Sequence, residues 1–203
     1  MCQFLETIQL CDGQFMRLAR HQSRLERAMA DFYPTAIVPA LSDKLGATSF
    51  PTDGLYKCRV IYDSEIRLIE FHPYVHPVIR SLKIVETNIS TLPYKMADRR
   101  DYQDVSALKG NCDDVLLVKN GLLTDTSYCN IALFDGENWV TPLKPLIQGV
   151  TRAQLLEEGK LIAKDIKLEE LMNFQKIALF NALNEFGSIQ LEISAISVIN
   201  ILK

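Results

Sequence analysis

The chain lacks a long hydrophobic run: the uncharged apolar stretch near its end, Ile193–Leu202, falls well short of the roughly 20 residues that a membrane span needs. It lacks a surplus of charge as well. Twenty-two Lys and Arg stand against 25 Asp and Glu, and a formal charge of -3 excludes the basic footprint of a nucleic-acid or anionic-membrane binder. The opening Met1-Cys2-Gln3-Phe4-Leu5-Glu6 has no basic segment and meets a carboxylate before any apolar run develops, so no secretory leader is expected. The five cysteines, Cys2, Cys11, Cys58, Cys112 and Cys129, include no Cys-x-x-Cys pair, which favours reduced thiols in a cytoplasmic protein over a disulfide framework. Histidine is scarce. His72 and His76 stand beside Pro73 and Pro77, which prevent the helical i,i+4 arrangement, and no Cys, Asp or Glu completes a recognisable spacing, so no metal site is expected. No internal repeat is visible.

What is present is ordinary globular material: 203 residues, 48% hydrophobic and 23% charged, enough for one domain or two small lobes with a buried core. Phe4 to Cys11 suits a strand, and Asp12-Gly13 predicts a tight hairpin with Gln14 to Leu18 returning. A helix is expected over His21 to Phe32, with Arg20, Arg24 and Arg27 as a solvated stripe, and a second over Thr35 to Leu45. Leu55 to Tyr62 and Ile66 to Phe71 read as a hairpin around Asp63-Ser64-Glu65. Two prolines within residues 72–77 argue for an extended connector between lobes 1–78 and 79–203. Beyond it come a strand over Ser81 to Thr87, a helix over Arg99 to Lys109, and hairpins around Asn120-Gly121 and Asp135-Gly136, which in tandem suggest a curled sheet. Helices over Thr151 to Gly159 and near Leu168 to Met172, with strands near Ile177 to Phe180 and Ile189 to Leu191, complete an α+β chain.

Two segments invite a chemical reading beside a structural one. Gln148-Gly149-Val150-Thr151-Arg152 precedes a helix, so its free N–H groups could hold a phosphate, or Thr151 could simply cap the helix. Lys95 sits between a strand and a helix, where an amine can act as nucleophile or base, or be inert surface.

Taken in order, these segments resemble the fold-type IV pyridoxal phosphate enzymes, the class IV aminotransferases, over Phe4 to about Leu191. Phe4-Leu5-Glu6-Thr7-Ile8 with Asp12-Gly13 is similar to the family's first hairpin, and His21-Gln22-Ser23-Arg24-Leu25 to its His-x-x-Arg-Leu helix. Tyr94-Lys95 with Asp98-Arg99-Arg100 falls at the place of the family's cofactor lysine, ahead of Asp113 to Val118. Thr124-Asp125-Thr126-Ser127-Tyr128-Cys129-Asn130-Ile131 is similar to Thr-Glu-x-x-x-x-Asn-hydrophobic, and Gly149-Val150-Thr151-Arg152 to the Gly-Ile-Thr-Arg phosphate turn. Asn181-Ala182-Leu183 and Thr7 match features of the aminodeoxychorismate lyases within the family.

The resemblance implies two lobes: a small α/β N-terminal lobe shortened at its start, and a larger C-terminal lobe with a barrel-like sheet carrying Lys95 and most of the cofactor site. It implies pyridoxal 5'-phosphate as cofactor, a small-molecule substrate and a homodimer. Lys95 would bind the cofactor covalently and move the substrate's α-proton, with Thr7 as proton donor or water-positioner. Asp125, one methylene shorter than the family's glutamate, would face the ring nitrogen. Arg24, Gly149, Val150 and Thr151 would hold the phosphate, Ile147 would pack on the ring, and Asn130, Asn181 and Ala182 would complete the site. The implied activity is lysis of 4-amino-4-deoxychorismate to 4-aminobenzoate and pyruvate. A branched-chain or D-amino acid transaminase, or a non-catalytic cofactor-binding protein, is the alternative, and no arginine matches the one that binds the substrate carboxylate in the D-amino acid enzymes.

Overall fold

In the computed structural model, which describes residues 2–197, Phe4–Cys11 forms β1 and turns back into Gln14–Phe15, β2. Asp12 and Gly13 take φ of 46° and 78°, the left-handed pair that a two-residue hairpin needs if its twist is to match the strands. The return strand is shorter than expected. Arg17 is itself left-handed, with φ 54°, and redirects the chain, so the helix α1 begins at Leu18 and runs Leu18–Phe32. His21, Arg24, Leu25, Ala28 and Met29 form its buried face at three- and four-residue spacing. Arg24 is therefore not part of a solvated stripe, although Arg27 is exposed. The helix expected over Thr35 to Leu45 is only Leu41–Gly46, α2, because Pro39 lies inside the expected range and disfavours helical geometry at the residue before it. Leu55–Tyr62 (β3) and Ile66–Pro73 (β4) complete a sheet of order β2-β1-β3-β4. α1 and α2 cover it, burying Leu25, Met29, Leu41 and Leu45 with Phe4, Ile8, Cys58 and Val60.

The chain divides into two compact units, one running to His76 and including Tyr94–Asp98, the other made of Pro77–Pro93 and the chain from Arg99 onward. Lys95, expected in the C-terminal lobe, thus belongs to the first unit. The reason is backbone pairing: Leu5 N donates to Lys95 O and Ala97 N to Gln3 O, both at 2.8 Å, so the segment extends the edge of β1 that β3 leaves open.

In the second unit Leu82–Glu86 (β5) runs parallel to Asp114–Lys119 (β6), with the helix Arg100–Ala107 (α3) between them in sequence. Leu122–Thr126 (β7), Asn130–Phe134 (β8) and Trp139–Pro142 (β9) follow as antiparallel neighbours. The helix Val150–Glu157 (α4) leads to Ile162–Lys164 (β10), and Lys176–Phe180 (β11), Ile189–Glu192 (β12) and Ile196–Ser197 (β13) end the described chain. β8 is a branch point. β11 pairs along its whole length, while its other edge is shared by β7, at Asp125↔Asn130, and β9, at Leu133 and Phe134. The nine strands therefore form a forked sheet, β10-β9-β8-β7-β6-β5-β13 with β11 and β12 as the side arm, and among the described residues they do not close into the expected barrel. The segment near Leu168 to Met172 is a 3₁₀ turn, Leu168–Asn173, rather than an α-helix. Of the tail from Glu192 to Lys203, Ile196–Ser197 adds to β5 and residues 198–203 lie outside the described residues. Among the described residues no helix is long and apolar enough to cross a membrane.

Candidate active site

Strand alternation sends Glu6 and Thr7 to opposite faces of β1. Glu6 is fully buried against α1, where Arg24 Nε donates to Oε1 at 2.8 Å, Arg24 Nη2 to Oε2 at 2.6 Å, and His21 Nδ1 lies 2.5 Å from Oε2. Burial alone would raise the Glu6 carboxyl, but the Arg24 charge and the bonds from His21 and Arg24 outweigh it and hold it at about 2. Burial keeps His21 below its ordinary range, so a neutral imidazole donates Nδ1–H to the carboxylate. Neither Glu6 nor His21 was assigned a role from the sequence. The signal was there, as an acid inside an apolar strand and a His and Arg three apart on the inner face of one helix. Two donors of Arg24 go to Glu6, which fixes the guanidinium in this cluster. On the other face of β1, Lys95 Nζ donates to Thr7 Oγ1 at 2.8 Å, with both side chains half-buried.

In the second unit Asp125, Asn130 and Ile147 are brought together. Asn130 Nδ2 donates to Asp125 Oδ1 and to Ile147 O, each at 2.9 Å, and Ile147 N donates to Asp125 Oδ2 at 3.0 Å. Burial pushes the Asp125 carboxyl up to about 6, against the opposing pull of Asn130 and the Ile147 and Leu146 N–H groups. Gly149 is the residue before α4, and a Cβ there would overlap Asn130 Oδ1. Gly149→Ala should therefore displace Asn130 from Asp125 and destabilise the protein by about 1–3 kcal/mol in urea unfolding, as overpacking does; a loss below about 0.5 kcal/mol would show that Asn130 swings away freely.

Thr151 does not cap α4. The cap position is Gly149, and the buried Thr151 hydroxyl donates to Asn181 O at 2.9 Å. Asn181 Nδ2 donates to Tyr128 O and Cys129 Sγ at 3.3 and 3.2 Å, while its Oδ1 accepts from Leu183 N and Asn184 N, with Ala182 half-buried in the same turn. Val150 is buried in the first turn of α4. Arg152, which carried no assigned role, ties α4 to β9 through Pro142 O at 2.7 Å and Thr141 Oγ1 at 3.3 Å.

Each unit by itself carries chemistry suited to part of a group that bears an aldehyde, a basic ring nitrogen and a phosphate. An amine is present in Lys95. The buried Asp125 carboxyl is one whose charged form a neighbouring ring cation would favour, and the N–H groups at the start of α4 lack intrahelical acceptors by helix geometry.

The chain belongs to the class IV aminotransferases: the family model described as amino-transferase class IV matches residues 85–191, more than half of its length. Members of this family depend on pyridoxal phosphate. Within it, the chain is similar to a crystal structure from Haemophilus somnus 129PT provisionally named a 4-amino-4-deoxychorismate lyase, at 32% identity over 91% of this chain and 98% of that one, with a TM-score of 0.83. An uncharacterized Haemophilus influenzae protein is 30% identical over 187 residues, 91% of this chain and 99% of that one. A hypothetical aminotransferase of Mycobacterium tuberculosis in its PLP-bound form shares the fold at 16% identity and a TM-score of 0.71, over 91% of this chain and 78% of its own.

Proposed function

We propose that this protein is a pyridoxal phosphate-dependent lyase that converts 4-amino-4-deoxychorismate to 4-aminobenzoate and pyruvate. The observation that carries the reading is the 2.8 Å hydrogen bond from Lys95 Nζ to Thr7 Oγ1, which places a hydroxyl beside the amine of the proposed cofactor lysine. The named relative from Haemophilus somnus supports the choice of reaction. Pyridoxal phosphate, when bound, holds the substrate amine and accepts the electron pair left on its α-carbon.

The protein's own groups then have distinct tasks. Lys95 would hold the cofactor and would take the proton from the carbon that bears the substrate amine. The bond from this ring to the enolpyruvyl oxygen breaks, the ring becomes aromatic, and the departing enolpyruvate takes a proton on its methylene carbon to become pyruvate. Atoms balance without water or a second substrate. Thr7 accepts its bond from Lys95, which leaves its own O–H to donate, and we assign it that last proton. Asp125 would sit against the ring nitrogen and favour its protonated form, with Asn130 and Ile147 N fixing the carboxylate. The N–H groups at Val150 and Thr151 would receive the phosphate, and Asn181 fixes Thr151.

Stoichiometry separates this reading from a transaminase. Protein loaded with cofactor and given 4-amino-4-deoxychorismate, with no keto acid, should release 4-aminobenzoate and pyruvate in equal amounts over many turnovers. Thr7→Val should slow that release by about 10²-fold, the ordinary size of a proton-transfer contribution, while cofactor affinity holds. Turnover that appears only with an amino acid and keto acid pair would replace the lyase by a transaminase.

A further inference from the structure

Beside the Asp125–Asn130 strand pair, the second unit carries an open cleft of about 460 Å³, walled by α3 on one side and by the β7–β8 turn on the other. Two cations, Arg99 and Lys109, line it, and among the described residues no acidic side chain does, in a chain whose formal charge is -3. Arg99 is held in place. Its guanidinium stacks 3.4 Å from the Tyr102 ring centroid and donates to Ser127 O at 3.5 Å, so part of the entropy of fixing a long cation is already spent. Lys109 Nζ is steadied on Asp113 O at 3.2 Å. Burial holds the Tyr102 hydroxyl up at about 12, so it adds no negative charge. Ser106 adds a hydroxyl to the wall, and the ring of Tyr128 is 43% exposed, a flat apolar surface at the cleft's edge.

The cleft is also tied to the proposed chemistry. Ser127 and Tyr128 are the second and third residues after Asp125, and Ser127 Oγ donates to Asp114 Oδ1 at 2.6 Å, which fixes that wall on β6. Tyr128 O accepts from Asn181, whose own carbonyl accepts from Thr151, so a continuous hydrogen-bonded path joins the cleft wall to the start of α4.

We infer that this cleft is a carboxylate subsite, in which Arg99, backed by Tyr102 and assisted by Lys109, binds the carboxylate of a planar six-membered ring while Tyr128 lies along its apolar body. The assignment rests on the lyase reading for the identity of that ring, and it makes Arg99 a specificity-determining residue. Binding of 4-aminobenzoate and of aniline, which lacks the carboxylate, is measured by calorimetry on the cofactor-loaded protein, with Arg99→Met and Arg99→Lys alongside. The wild type should bind 4-aminobenzoate and discriminate against aniline by at least ~10-fold, Arg99→Met should lose at least ~10-fold in affinity, and Arg99→Lys should recover part of it, as expected of a charge-assisted contact. In the keto-acid-free assay Arg99→Met should raise KM by a similar factor with kcat little changed. Circular dichroism of both variants establishes that they are folded. Equal affinity of folded Arg99→Met and wild type, or equal binding of aniline, overturns the subsite. Carboxylate binding that tracks Arg99 in a protein with no lyase turnover upholds the subsite and overturns the lyase reading alone.

Discussion

Lys95→Ala is expected to lose at least about 10³-fold in turnover, because under the proposed mechanism one substitution would remove both the covalent anchor and the base that moves the α-proton. The variant should remain folded. Lys95 is half-buried, and what holds its segment on β1 is backbone pairing through Leu5 N and Lys95 O, which alanine keeps. Borohydride treatment of the wild type loaded with cofactor should leave a pyridoxyl label on the peptide that contains Lys95, and no label on Lys95→Ala. A label on another lysine, or turnover within tenfold of wild type, would remove Lys95 from the chemistry and with it both the lyase and the transaminase readings.

Glu6→Gln should have the largest effect on stability, about 3–5 kcal/mol in urea unfolding at pH 7, because it leaves the Arg24 charge buried without its counter-ion. The sign of the pH dependence follows from the same cluster. Glu6 is held at about 2 against an ordinary 4.5, a difference equivalent to about 3 kcal/mol that is present above pH 4.5 and is lost as pH falls toward 2. His21, held below 6.5, acts in the same direction: the unfolded chain takes up a proton below 6.5 that the buried imidazole resists, so acid favours unfolding. The gap between wild type and Glu6→Gln should therefore narrow as pH is lowered from 7 to 3. A cost under about 1 kcal/mol at pH 7, or one that does not change with pH, would mean that water reaches Arg24 and replaces the carboxylate.

Much of the fold was legible because it is written locally. The hairpin at Asp12-Gly13, β3 over Leu55–Tyr62 and the Asn120-Gly121 turn follow from residues adjacent in sequence. What was misread depends on partners far away. Nothing within residues 94–98 says that they lie on β1, because the bonds that place them come from Gln3 and Leu5. Arg24 reads as one arginine of a surface stripe until Glu6, eighteen positions earlier, is seen to take two of its donors. The forked sheet is equally non-local, since β8 must choose among β7, β9 and β11 along two edges. Of the candidate site, the resemblance named Asp125, Asn130 and Ile147, which the structure brings into one hydrogen-bonded set; Glu6, His21, Arg24 and Arg99 stand within its motifs, but their pairing and the cleft depend on contacts between segments distant in sequence.

The excursion of Tyr94–Asp98 into the first unit sets an order of events during folding. The Lys95 amine and the Thr7 hydroxyl are 88 positions apart, and the strand edge that receives Lys95 cannot be completed until β5 has been made and the chain has returned. On an emerging nascent chain the hairpins and helices of the first 76 residues can assemble from contacts made early, yet the Gln3–Leu5 end of the β1 edge opposite β3 lacks its later partner. Closing a loop of that length carries an entropy cost that no local contact offsets in advance, so the proposed reactive lysine is among the last side chains of its own unit to find its place.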